Sequence, residues 1–144
     1  KDIRPDIYER IKPMQIASYP LDQVFYPISQ HGFMLKVDVE GGENEVFVGA
    51  SKLFKEKRPL VLCEVLHAHR TNEIDLNNSR KVALRDFLID VGYDIFLINL
   101  SPKDREEYLG IQKIDQFPLY QLWRDSPHTC DYIFLPSELE FVRN

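Results

Sequence analysis

The stretch Phe33-Met-Leu-Lys-Val-Asp-Val-Glu-Gly-Gly-Glu43 constrains this chain more than any other. A β-rich apolar run, suited to a strand buried on both faces, stops abruptly in carboxylates and two glycines. Fourteen residues of helical pattern follow at once, from Glu43 to Glu56. Val46, Phe47, Ala50, Leu53 and Phe54 fall on one stripe of that helix. Glu43 and Glu45 suit the positive end of its dipole, and Lys55, Lys57 and Arg58 the negative end. Pro59 ends it, because proline cannot continue a helix. A second apolar run, Leu60 to Leu66, comes next. A crossover of this length between two buried strands predicts a parallel pair. In open α/β sheets ligands sit beyond the carboxyl ends of the strands. Asp38 and Glu40 are therefore expected at a site.

The rest of the chain extends the pattern. Ile3, Ile7 and Ile11 predict a short N-terminal helix that Pro13 stops. Met14 to Ser18 suggests a short strand, Leu21 to Phe25 one helical turn, and His31-Gly32 a turn. His67 to Asn78 is polar and reads as a loop. Ser79 then caps a helix whose stripe is Ala83, Leu84, Phe87, Leu88 and Val91, closed by Gly92. Tyr93 to Leu100 is a third strand. Ser101-Pro-Lys-Asp suggests a short helix, with serine at the cap and proline in the first turn. Residues 111–129 read as irregular and aromatic, Cys130 to Leu135 as a last strand, and Pro136 onward as one more helical turn. The order β-α-β-α-β…β predicts an α/β fold, one half of an open doubly wound sheet, in a single domain spanning residues 1–144.

Composition excludes several functions. A net charge of −5, with basic residues scattered, leaves no stripe to neutralise phosphates and argues against nucleic acid. No run has the length of a membrane span, and no signal peptide is visible. Cys63 and Cys130 each sit inside an apolar run and read as core residues of a reducing compartment, so a cytoplasmic location is expected. The only Gly-Gly, Gly41-Gly42, has acidic neighbours, and nothing reads as a phosphate or dinucleotide loop.

Strand alternation puts Lys36, Asp38 and Glu40 on one side if the first strand stays extended to Glu40. Glu64 ends the next strand, and His67 and His69 lie just beyond it. These residues are expected to converge at one sheet edge. A carboxylate crowded by like charges gains proton affinity, which suits a general base. The same oxygen-rich cluster suits a divalent cation. Plainer readings stand beside these: Asp38 accepting hydrogen bonds from the Gly41-Gly42 turn, Glu43 serving the helix dipole, and Lys36 pairing with a neighbouring carboxylate. The aromatics Phe117, Tyr120 and Trp123 read either as an acceptor pocket or as satellite core.

Leu35-Lys-Val-Asp-Val-Glu-Gly-Gly-Glu-Asn-Glu-Val-Phe-Val-Gly-Ala50, followed by Arg58-Pro-Leu-Val-Leu-Cys-Glu-Val65, resembles the central motif of FkbM-type S-adenosylmethionine-dependent methyltransferases. Pro20-Leu-Asp-Gln-Val24 resembles the short segment preceding that motif, and Asp131-Tyr-Ile-Phe-Leu-Pro136 the closing strand. The resemblance implies a Rossmann-like, three-layer methyltransferase sheet, mostly parallel with an antiparallel final strand. This chain would supply strands four to seven. The half holding the glycine-rich loop and the ribose-binding acid is not in this sequence. The expectation is therefore the C-terminal part of a longer protein or a truncated product, partnered by an N-terminal half or self-associating through an exposed sheet edge.

The implied chemistry is transfer of a methyl group from S-adenosylmethionine to a hydroxyl of a small molecule or glycan. Asp38, Glu40 and Glu64 are the catalytic candidates, Asp38 also faces the cofactor, and His67 and His69 bound the acceptor. No metal is required. Two alternatives remain open: a metal-dependent hydrolase or phosphotransferase built on Asp38, Glu40 and Glu64, and a non-catalytic α/β interaction module.

Overall fold

A computed structural model describes residues 14–27, 32–103 and 107–139. The expected N-terminal helix lies outside the described residues, as do His31 and most of the expected C-terminal turn. Chain order is α1 (Leu21–Val24), β1 (Met34–Val37), α2 (Glu43–Val48), α3 (Ser51–Lys57), β2 (Leu60–Glu64), a 3-10 turn (Thr71–Glu73), α4 (Ile74–Asp90), β3 (Tyr93–Leu100), β4 (Tyr108–Ile114), a second 3-10 turn (Pro127–Thr129) and β5 (Asp131–Pro136). The predicted first strand, helical turn, second strand, third strand and last strand are all present within a few residues of their expected bounds. Met14 to Ser18 forms no strand.

The five strands form one open sheet in the order β1-β2-β5-β3-β4. The predicted parallel pair is there, with Met34 opposite Leu60 and Val37 opposite Cys63. The expectation of a mostly parallel sheet is corrected: β2–β5, β5–β3 and β3–β4 are all antiparallel. Two events produce this. β5 inserts in the reverse direction between β2 and β3, which otherwise run alike. The segment after Ser101 folds back as a hairpin strand, β4, where a helix and irregular chain are expected. Ser101 caps no helix; its side-chain Oγ accepts from Lys103 N, and its own N–H donates to Glu107 O across the hairpin turn.

The buried face of the sheet carries Val37, Val61, Cys63, Ile95, Leu97, Tyr132 and Phe134. Helices α2, α3 and α4 all pack there, meeting in an aromatic cluster. Phe47 lies 4.8 Å from Phe54, 6.0 Å from Phe87 and 5.6 Å from Phe134, ring centre to ring centre. Such contacts add about 0.5–1.5 kcal/mol each to the burial itself. On the opposite face Leu62, Phe96 and Ile133 are only half-buried, so the described residues make two layers rather than three.

The single helix expected over 43–56 is two. The break falls at Gly49-Ala50, where α1 crosses closely: a Cβ at Gly49 would stand 3.4 Å from Pro20 Cα and 3.2 Å from Glu45 O. Asp22 then caps α3 from outside, its two carboxylate oxygens each accepting at 2.8 Å from the N–H groups of Lys52 and Leu53. This satisfies donors that a helix start leaves unpaired. It also gives the Leu21-Asp22 segment a structural task. In the other direction, α4 starts at Ile74 rather than Ser79, so much of the polar stretch after His67 is helical. That early turn brings Glu73, Asn77, Asn78 and Lys81 against the strand ends.

Candidate functional site

The parallel strands β1 and β2 end at the same edge, and a cleft of about 290 Å³ opens beyond them against α4. The chain leaving β1 makes a tight turn, with Gly42 N donating to Val39 O. Its two central residues are Glu40 and Gly41, with φ of +52° and +102°. Glycine adopts such angles freely, whereas for glutamate they cost about 1–2 kcal/mol. The strand therefore does not stay extended to Glu40, and the side chains of Asp38 and Glu40 part company. Glu43, buried at the start of α2, accepts from Gly41 N at 2.8 Å. From α4, Arg80 donates to Gly41 O at 2.7 Å and forms an ion pair with Glu45. Asn44 donates to Arg80 O at 3.1 Å. The turn is thus clamped on both sides, and Glu40 is held at the cleft rim with its carboxylate in no hydrogen bond or ion pair with a described residue.

Glu40, His67 and His69 line the cleft; Asp38 and Glu64 do not. Asp38 lies on the half-open sheet face, 2.7 Å from Lys36 Nζ. That confirms the ion pair expected for Lys36, although β1 is an exposed edge strand and Lys36 is not buried. Lys36, through its hydrogen bond and charge, holds the Asp38 carboxyl below the usual range, with Glu64 contributing a further hydrogen bond. The raised proton affinity expected of a crowded carboxylate is therefore not the property of Asp38: the cation wins over the neighbouring anions. Nor do Asp38, Glu40 and Glu64 meet at one point. Among the described residues no three of His, Cys, Asp or Glu gather closely enough to hold a metal ion.

His69 sits at the rim with Trp123 5.8 Å away. His67 is 1% exposed. Its Nε2 lies 2.8 Å from Thr129 Oγ1 and its Nδ1 2.6 Å from Lys81 Nζ. Burial, then the Lys81 charge, lower His67 to about 4, so the ring is neutral near pH 7. Lys81 is equally enclosed, and burial lowers it to about 8. Phe117 resolves the question of the late aromatics: it is core, packed edge-on to Tyr132 at 4.9 Å, while Tyr120 is exposed.

Lys81, Arg80 and Asn77 are cleft residues that reading along the chain passes over, and Glu43, read there only for the helix dipole, is a fourth lining residue. Lys81 did leave a trace. It precedes Leu84, Leu88 and Val91 at the spacing of one helical stripe. A lysine on an apolar stripe is either snorkelling or buried for a purpose.

In open α/β sheets the crevice beyond the carboxyl ends of parallel strands is where ligands bind, and the cleft here has that position. Sequence comparison makes it specific. The chain belongs to the FkbM methyltransferase family: the model of the methyltransferase FkbM domain matches residues 3–95, well over half of the 144. That match contains β1, β2, α4 and every cleft residue named above. No curated protein and no solved structure matches the chain. Among the described residues no helix is long and apolar enough to cross a membrane.

Proposed function

We propose that this domain carries the acceptor side of an S-adenosylmethionine-dependent O-methyltransferase, and that the acceptor is a hydroxyl of a small molecule or glycan bound in the cleft. The observation that carries the reading is a strand-end cleft formed wholly by residues inside the FkbM match. The strand order supports a Rossmann-like half-sheet: β1, β2 and β3 run the same way, with the last strand of the chain inserted in reverse between β2 and β3.

The fit to the cofactor rests on charge. A sulfonium and an amino group are cationic, and two acidic side chains stand at this edge: Asp38, whose carboxyl Lys36 holds below the usual range, and Glu40, which lines the cleft. When bound, S-adenosylmethionine supplies an electrophilic methyl group. The protein's part is to hold the acceptor oxygen in line with it and to take up the hydroxyl proton. Asp38 and Glu64 are assigned to the cofactor side of the sheet edge, Glu40 to the boundary, and His69 with Trp123 to the acceptor, where a ring can lie against a sugar face. His67 acts from behind the cleft wall.

Calorimetry with S-adenosylmethionine on the full-length natural protein tests the reading. Binding that weakens about tenfold or more in Asp38→Asn, a loss of about 1.4 kcal/mol, is expected. Absence of binding to the wild-type protein refutes the cofactor. Unchanged affinity and turnover in Asp38→Asn refute the role of Asp38.

A further inference from the structure

Helices α2, α3 and α4 pack on one face of the sheet, whereas Leu62, Ile133 and Phe96 stay half-buried on the other. Strand register sets these three side by side across β2, β5 and β3: Leu62 stands opposite Ile133, and Ile133 opposite Phe96. Lys36 and Lys113 close the row at its two ends. Each lysine is paired with an acid on the same face, Lys36 with Asp38 at 2.7 Å and Lys113 with Asp94 at 2.6 Å. The next row, towards the carboxyl ends of β1 and β2, is acidic: Asp38, then Glu64 opposite Asp131. An apolar strip bordered by a line of acids fits a partner that is apolar along its middle and basic on its flank.

The chain itself contains such a segment. The described residues begin at Met14, and Ser18, Tyr19 and Pro20 run beside β1, where they line a groove with Leu35, Lys36 and Val37. β1 is the edge of the sheet, so the chain arrives next to the open face. Four extended residues from Ser18 back to Met14 span about 13 Å, and β3 lies three strand spacings from β1, about 14 Å. Residues 1–12 are therefore tethered within reach of the apolar strip. Helical projection at about 100° per residue puts Ile3, Ile7 and Ile11 on an arc of about 80°. Arg10 borders that arc about 20° away on one side and Arg4 about 20° away on the other, while Asp2, Asp6 and Glu9 fall on the opposite half. Pro5 stands in the first turn, where a helix tolerates proline. From Ile3 to Ile11 such a helix rises about 12 Å, against about 10 Å for the two strand spacings from Leu62 to Phe96.

We propose that residues 1–12 dock across the open face as an amphipathic helix and supply a third layer over β2, β5 and β3. The isoleucine stripe lies on Leu62, Ile133 and Phe96. Because each flank of the stripe carries an arginine, one of the two faces the row of Asp38, Glu64 and Asp131. The driving force is burial of apolar surface on both partners, and the arginine fixes which flank meets the acids. This docking does not rest on the methyltransferase reading.

The full-length protein, labelled with 13C at isoleucine and leucine methyl groups in a deuterated background, is tested by NMR for through-space contacts between methyls, with Ile7 assigned from the resonance missing in Ile7→Val. Contacts from Ile3, Ile7 or Ile11 to Leu62 and Ile133 are expected, and they should persist on dilution. Absence of such contacts overturns the proposal. Contacts that arise only between differently labelled copies in a mixed sample assign the face to a second copy and overturn it, as do contacts from another segment in place of residues 1–12. Melting gives a second readout. Ile7→Asp should lower Tm by roughly 5 °C or more, and Asp6→Ala, on the opposite half of the helix, should leave it unchanged. A Tm no lower in Ile7→Asp than in Asp6→Ala overturns the docking. If Ile7→Asp does not fold, the contacts in the wild-type protein decide alone.

Discussion

Removing the Glu40 side chain in two ways separates strain from chemistry. Glu40 has φ of +52° in the turn at the cleft rim, and its carboxylate makes no hydrogen bond with a described residue. Glu40→Ala deletes the carboxylate but keeps a Cβ in the left-handed region, so its stability should stay within about 0.5 kcal/mol of wild type. Glu40→Gly deletes the same carboxylate and also relieves the Cβ. The relief is about 1–2 kcal/mol, offset by about 0.5–1 kcal/mol for the freer unfolded glycine. The glycine variant should therefore be more stable than the alanine variant by about 0.5–1 kcal/mol, which for a domain of this size is roughly 2–4 °C in Tm. Urea unfolding and calorimetric melting measure the difference; methyl transfer measures the other half. Both variants should lose turnover to a similar extent, because both lose the carboxylate. A glycine variant no more stable than the alanine one refutes the strain. Full activity in either variant refutes a chemical role for Glu40.

Three further outcomes follow from the packing and the charges. Arg58 reaches the carbonyls of Val91 and Gly92 and the carboxylate of Glu138, and lies 4.7 Å from the Tyr93 ring, so Arg58→Ala should cost about 2–3 kcal/mol in denaturant unfolding. Phe47→Ala, at the centre of the aromatic cluster, should cost about 3–5 kcal/mol and loosen α2, measurable as faster hydrogen exchange at the N–H groups of Val46 and Gly49. His67 has a folded value of about 4 against an ordinary 6.5, so between these pH values the unfolded chain binds the extra proton. Its contribution to stability is therefore complete above about 6.5 and falls away as pH drops towards 4. His67→Gln should flatten that part of the stability–pH curve, and an unchanged curve would refute the neutral ring.

Much of the fold was legible because its signals are local. Tyr93 to Leu100 is an apolar run centred on Ile95-Phe-Leu-Ile98 and flanked by Gly92 and Ser101, and it is a strand over that whole range. Pro59 marks the break between α3 and β2. The misread segments are those whose local preference loses to a neighbour. The helical stripe over 43–56 continues through Gly49, yet Pro20 and Asp22 press against that glycine and split the helix in two. Ser101-Pro-Lys looks like a helix start, yet Leu97, Ile98 and Asn99 offer an open edge with which Gln112, Ile111 and Gly110 pair as a strand. At the site, the strand-end position of Glu40, and of His67 on the loop just beyond the second strand, was readable from where the two apolar runs end. Their separation from Asp38 and Glu64 was not, because the positive-φ pair Glu40-Gly41 redirects the chain.

Taken alone, the sequence determines the parallel pair β1–β2, the acid-rich turn that follows it and the family to which both belong. These depend on the spacing of apolar residues, on breakers and on a contiguous motif, all properties of neighbours along the chain. Tertiary structure decides the hairpin return of β4, the splitting of the 43–56 helix by Pro20 and Asp22, and the burial of Lys81 against His67. Each of these depends on which groups lose water and which partners replace it, and residues well separated along the chain supply those partners.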